Sequence, residues 1–455
     1  MSRAAVLALA STVCVLQVAS AQPRVVWSAR YDGPAHREDR PTTMVRDAAG
    51  NTYVAGYSFG DSSDFDFATV KFGPQGDTIW TRRYGSPLNS EDRPWCLALD
   101  SSGCVVASGG TIADRSRGWD FQTVKYSPGG DTAWLRRTDF IYHHDDKPAA
   151  LAVLPDNSLV VAGASRRKAS GPEPRADWDI SLVRYTAAGD TLWTRLWGGP
   201  AHLDDYASAL AVDAGGNIYL LGKSVVSPPS PDIALLKYRP DGSLAWQRTI
   251  DGAGHATDMA SSVLLDRAGC LYVVGSATGP GTSFDYLVAR FDAAGSRLWQ
   301  QTYDGAGRVD VAQAACLDPR GGVVVTGQST GAGSSFDIAT IKYSPAGQRL
   351  WARRHNGAAS SADRGWCLAA DGEGNVVVGA NSVGAASFPD LLVLAYSPAG
   401  DTLWSWRGPA AVSGEARPVA VVWDSAGVLV AGHDHNPETG FDFRLMLLET
   451  AGPDR

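Results

Sequence analysis

The sequence predicts an all-β fold: a single eight-bladed β-propeller with four antiparallel strands in each blade. Three observations carry that expectation. A unit of about 53 residues recurs along the chain, long enough for four short strands. Residue size is graded within each unit, with small residues in its first strand and aromatic residues in its later ones. The two ends of the chain are complementary fragments of one unit, as a closed ring requires.

The unit is clearest at Phe336–Trp351, FDIATIKYSPAGQRLW. An Asp opens an apolar run that carries a basic residue, a Gly makes a turn, and a Trp ends the second run. The Asp recurs at Asp66, Asp120, Asp179, Asp232, Asp285, Asp337, Asp390 and Asp442. A Trp follows 14 positions after each of the first seven, from Trp80 to Trp404, with the turn Gly four residues before it. This half reads as the third and fourth strands, joined by a short hairpin. The other half is typified by Ala209–Tyr219, ALAVDAGGNIY, a small-residue run, a turn and a β-branched run. Its turn pairs an Asp with a Gly three positions later at Asp47, Asp100, Asp213, Asp266, Asp318, Asp371 and Asp424. The third unit has Asn157 instead, the other residue that tolerates a left-handed backbone.

Ala- and Cys-rich first strands (AALAVL, AACLD) suit a crowded central axis, and Tyr, Phe and Trp in later strands suit the widening space between blades. The Trp series repeats at one strand position, which assigns it to packing between blades rather than to glycan stacking. The basic residues at Lys71, Lys125, Arg184, Lys237, Arg290 and Lys342 lie inside strands and are expected to pair with repeated aspartates. The last unit reaches its turn at Gly452 and stops at Arg455 before any Trp, whereas Val25–Tyr31 offers Trp27 with no preceding strands. The N-terminal strand is therefore expected to complete the eighth blade and remove the exposed edges.

Residues 1–21 read as a secretory signal peptide, with Arg3, the apolar Ala4–Val18 and the small residues Ala19-Ser20-Ala21. Residues 22–455 would form the propeller. Export is expected, with the protein periplasmic or secreted, monomeric and without a transmembrane segment. A formal charge of -8 argues against nucleic acid as partner. Cys96, Cys104, Cys270, Cys316 and Cys367 are odd in number and match no zinc spacing, which predicts buried free thiols.

The alternation of DFATVKY-type and VDxxGNxYVxG-type segments over about Val25–Glu449 resembles the bacterial SBBP β-propeller repeat family. That resemblance implies a secreted or envelope protein and no defined reaction. The Gly four residues before each Trp also resembles the tryptophan-docking motif of eight-bladed quinoprotein dehydrogenases. Those enzymes hold a calcium-bound quinone beside adjacent cysteines, and this chain has no adjacent cysteines.

Candidate binding residues fall on the face that carries the links between blades, termed the top. An acid lies 11 or 12 residues after each Trp: Asp39, Asp92, Asp146, Asp205, Asp258, Asp310, Asp363 and Glu415. The eight would ring the channel mouth as a cation or polyol site, or cap local backbone N–H groups. Their presence in every unit favours capping. His36, His143, His202 and His255 lie three residues before four of these acids, and His433 and His435 lie in the eighth unit. They read as solvated loop histidines more readily than as metal ligands. Two G-x-S-x-G matches, Gly56–Gly60 and Gly327–Gly331, belong to the repeat and lack the strand-to-helix turn of a nucleophile elbow. The expectation is a non-catalytic module, with no metal and no cofactor, that binds a protein or a glycan through its top face. The alternative is a quinone- and calcium-dependent oxidoreductase.

Overall fold

The computed structural model describes residues 22–114, 118–167, 177–227, 230–281, 283–331, 333, 335–359, 361–384, 388–409 and 413–449. Residues 1–21, expected to be a signal peptide, and the expected C-terminal turn at Gly452 lie outside the described residues. Among those described there is no helix, and the strands group into eight four-stranded antiparallel sheets. Each sheet starts from an inner strand: β2 (Asp39–Arg46), β6 (Asp92–Leu99), β10 (Asp146–Val153), β14 (Asp205–Val212), β18 (Met259–Leu265), β22 (Asp310–Leu317), β26 (Arg364–Ala370) and β30 (Arg417–Asp424). Each inner strand neighbours the next around the circle, and β30 returns to β2, so the ring is closed.

Closure follows the expected route. The eighth sheet consists of β30, β31 (Gly427–Asn436), β32 (Gly440–Glu449) and the N-terminal β1 (Arg24–Tyr31). Antiparallel pairing brings Ser28 opposite Met446 and Tyr31 opposite Phe443. The blades are numbered from the sheet that begins with β2.

The core lies between blades, not within them. Val324, Ile338 and Trp351 of blade six pack with Val376, Val378, Leu392, Leu394 and Tyr396 of blade seven. The outer-strand Trp is the joint. Trp134 donates its indole N–H to the carbonyl of Ala187 in the next blade at 3.1 Å, and Trp351 does the same to Pro398 at 3.0 Å. The turn Gly of that next blade lies on the indole face. Gly189 has φ +91°, and a Cβ on it would stand 2.7 Å from the Trp134 ring. Gly is thus required twice, for backbone conformation and for space. An Arg two positions after Trp completes the joint: Arg136 Nε donates to Gly189 O at 2.7 Å, and Arg353 Nε to Gly400 O at 2.6 Å.

The in-strand basic residues pair with turn aspartates in Lys125–Asp100, Arg184–Asp156, Arg290–Asp266 and Lys342–Asp318. Lys71 and Lys237 instead lie over the rings of Tyr53 and Tyr219 and donate to carbonyls of the next blade. In those two blades the turn aspartates, Asp47 and Asp213, are taken by the Tyr hydroxyl and an Asn side chain.

Two glycine substitutions separate strain from docking. Gly269 also has positive φ (+78°), but nothing lies within 4 Å of its Cβ position. Gly269→Ala is expected to cost about 1–2 kcal/mol from backbone strain alone. Gly189→Ala adds displacement of Trp134 and should cost about 3–4 kcal/mol, on the scale of losing a buried aromatic contact. Thermal or urea unfolding of the two variants checks the order.

Candidate functional site

Seven of the eight acids expected in the ring are buried and hold backbone N–H groups. Asp39, Asp92, Asp146, Asp205, Asp258, Asp310 and Asp363 are at most 1% exposed, so they do not stand open at the channel mouth. In each, Oδ2 accepts a backbone N–H from the link that precedes it. The donors are Gly33 (2.6 Å), Ser86 (2.5 Å), Phe140 (2.9 Å), Gly199 (2.5 Å), Gly252 (2.7 Å), Gly305 (2.7 Å) and Gly357 (2.5 Å). Burial raises several of these carboxyls far above their ordinary range: Asp39, Asp92 and Asp205 to about 6, and Asp146 to about 7.

The four link histidines are explained by backbone conformation. His36, His143, His202 and His255 have φ between 47° and 53°, and each donates its N–H to the carbonyl three residues before. Asn89 (φ 49°) and Gly307 (φ 69°) hold the same place in other links, so the position selects residues that tolerate the left-handed region. His36, His143 and His255 also pair through Nδ1 with Asp32, Asp139 and Asp251 at 2.6–2.8 Å. Their side chains are 58–80% exposed.

The eighth unit departs from the rest. The N–H of Ala416 donates to Pro389 O as that of Asp363 donates to Phe336 O and that of Asp258 to Pro231 O. Ala416 therefore occupies the ring-acid position, and Glu415 lies one residue off it. The expectation that Glu415 is the eighth ring acid is corrected: the link register, not the charge, decides which residue enters. With no carboxylate at Ala416, a cavity of about 130 Å³ opens between blades seven and eight. Leu391, Trp406 and Met446 form an apolar wall, and His433, His435 and Arg444 supply polar groups.

His433 is 5% exposed, and neither ring nitrogen has a hydrogen-bond partner among the described residues. Its Nε2 lies 3.9 Å from Glu415 Oε1, beyond hydrogen-bond range. Burial lowers its pKa, so the imidazole is neutral at neutral pH and offers one donor and one acceptor. His435 Nδ1 is engaged by the Ser413 hydroxyl at 2.7 Å, and both imidazoles meet the Phe441 ring edge-on.

Beside this cavity runs a set of arginines that the sequence reading passed over. Arg364, Arg417, Arg40 and Arg93 sit near the top ends of four consecutive inner strands, β26, β30, β2 and β6. Each lies over an aromatic ring: Arg364 over Phe336 (5.9 Å), Arg417 over Trp366 (3.6 Å), Arg40 over Phe441 (3.9 Å) and Arg93 over Tyr57 (4.5 Å). Arg40 and Arg93 are paired with Glu38 and Glu91. Among the described residues Arg364 and Arg417 form no ion pair, and their Nε atoms are buried without a hydrogen-bond partner. Burial draws the Arg417 guanidinium below its ordinary pKa, with Arg40 and Arg364 adding to the effect against the pull of Glu415. An incoming anion would relieve that crowding. The signal in the sequence was the basic residue directly after the ring position, in Asp39-Arg40-Pro41, Asp92-Arg93-Pro94, Asp363-Arg364 and Ala416-Arg417-Pro418.

Ser58 and Ser329, the serines of the two G-x-S-x-G matches, are fully buried and hydrogen-bonded by Arg83 and Arg354. The five described cysteines are free, with Cys96 and Cys367 buried and the other three half-buried.

No protein-family model matches the chain, and no curated protein does. Solved structures similar to it include polysaccharide lyase Uly1, at 10% identity and TM-score 0.48, covering 94% of this chain and 97% of that one. Another is a putative 6-phosphogluconolactonase from Bacteroides fragilis, at 13% identity and TM-score 0.47, covering 86% and 99%. Drosophila Plexin A in complex with Semaphorin 1b gives 8% identity and TM-score 0.44, covering 94% and 88%. The eight-bladed fold stands on the chain's own sheets.

The raised carboxyls set a pH dependence. A carboxyl with a folded pKa near 6–7 binds a proton that the unfolded chain has released, so its contribution is full below the unfolded value and lost as pH rises through 6–7. His433 and His355, both lowered by burial, act in the opposite sense, losing stability as pH falls through the ordinary histidine range. The carboxyls outnumber them, so in chelator the melting temperature should be higher at about pH 5.5 than at about pH 7.5. Asp146→Asn should flatten that slope while retaining the fold. A profile that rises toward pH 7.5 would contradict this.

Proposed function

We propose that the protein is an exported, non-catalytic β-propeller of the SBBP repeat type that binds a carboxylate-bearing glycan at the junction of blades seven, eight and one. The single observation behind this reading is that Arg417, opposite the cavity-lining His433, and its neighbour Arg364 form no ion pair among the described residues, beside a cavity wall that combines Trp406 with an imidazole lacking a hydrogen-bond partner there. Planar guanidiniums held on aromatic rings are pre-organised for bidentate carboxylate contacts. An apolar wall with a few polar groups suits one sugar ring with its apolar face and hydroxyls. The repeat resemblance and the leader-like N-terminus support a partner outside the cytoplasm. The buried serines of the G-x-S-x-G matches support a role without acyl chemistry. Among the described residues no helix is long and apolar enough to cross a membrane.

Titration calorimetry with oligogalacturonate tests this reading. The wild type should bind it, more weakly as salt rises. Arg364→Ala with Arg417→Ala should weaken binding at least about tenfold, the effect of losing roughly 1.4 kcal/mol of charge-assisted contact. His202→Ala, far around the ring, should leave it unchanged. Equal binding by the double variant, or affinity for a protein from the surroundings with none for any acidic glycan, would count against it.

A further inference from the structure

Each blade opens its third strand with a buried aspartate, and six of the eight meet a cation. The pairs are Arg83–Asp66 (2.8 Å), Arg137–Asp120 (3.5 Å), Arg167–Asp179 (3.7 Å), Arg354–Asp337 (2.8 Å), Arg407–Asp390 (3.0 Å) and Arg30–Asp442 (3.0 Å). Five of these arginines stand three residues after the blade's Trp. Blade four has Thr249 at that position, and blade five has Thr302.

In blade four the consequence is visible. Asp232 is 8% exposed and, among the described residues, its side chain has neither a hydrogen bond nor an ion pair; the nearby His255 imidazole is held by Asp251. It faces two more carboxylates, Asp251 and Asp258, with one oxygen from each of the three within 4.8 Å of the others. Two oxygens on one calcium can stand at most about 4.8 Å apart, twice a Ca–O distance of roughly 2.4 Å, and the three carboxylates keep within that bound.

Asp258 is fully buried and anchored by the N–H groups of Gly252 (2.7 Å) and Thr278 (3.0 Å). Asp251 stands at the rim, 37% exposed and paired with His255, so the cluster has a route to solvent. Two similar trios, Asp32–Asp39–Asp442 and Asp120–Asp139–Asp146, contain the internal cations Arg30 and Arg137. A third, Asp285–Asp304–Asp310, accompanies Thr302, and Asp285 there engages a partner.

We propose that Asp232, Asp251 and Asp258 bind a calcium ion between blades four and five, where an external cation takes the place of the arginine that five other blades supply. All-oxygen, carboxylate-rich donors suit calcium over softer metals, with water completing the coordination.

The test is calcium titration of the full chain, stripped by chelator, by calorimetry and by melting temperature in calcium chloride against EDTA. Wild type should bind calcium and melt higher in its presence. Thr249→Arg supplies the internal cation at a position where five blades already accommodate it. It should lose one bound calcium per chain and melt higher than wild type in EDTA. Asp251→Asn, a rim change that leaves the buried anchors in place, should weaken the same site at least tenfold. Thr249→Arg binding as much calcium as wild type, or a wild type that binds none, would overturn the proposal.

Discussion

The whole ring depends on one contact, repeated between blades: an indole lying against a turn that can only be glycine. The Trp fills the widening outer space, its N–H satisfies a buried carbonyl of the next blade, and the glycine leaves the room that a Cβ would take. The adjacent Arg then satisfies the turn's own carbonyl. Each joint thus buries a large apolar surface without leaving polar groups unpaired. Trp246 departs from this, with its N–H unpartnered among the described residues, and there Lys237 takes the carbonyl. Eight inner strands at the axis and one borrowed N-terminal strand close what these joints assemble.

This frame was legible because a joint used many times must repeat its residues at fixed spacing. Asp, Gly and Trp each occupy a position where geometry admits little else. The site was much less legible. Spacing alone picked out His36, His143, His202 and His255 as breaks in symmetry, but a left-handed φ is invisible to a count of residues. Once φ is known, they stand with Asn89 and Gly307 as turn formers. Glu415 was chosen for its charge, whereas the register of the link inserts Ala416. The arginines after the ring position were passed over in the sequence, where each is only a basic residue beside a repeated link. Only packing distinguishes Arg364 and Arg417, which have no acid partner among the described residues, from Arg40 and Arg93, which do.

Where every blade carries the same group, that group holds the ring together. In two places where a blade departs, space or charge is left over. Ala416 in place of an aspartate leaves a cavity, and Thr249 in place of an arginine leaves Asp232 without an ion pair among the described residues. These two departures lie on different parts of the ring and invite different ligands, an anionic glycan at the first and a calcium ion at the second.

The most direct measurement is hydrogen–deuterium exchange of the full chain with and without oligogalacturonate, read by mass spectrometry. The account predicts protection confined to the departures around residues 364–367, 406–409, 414–417 and 432–435, with the links at His143 and His202 unaffected. Protection centred on those symmetric links, with none near Ala416, would contradict it.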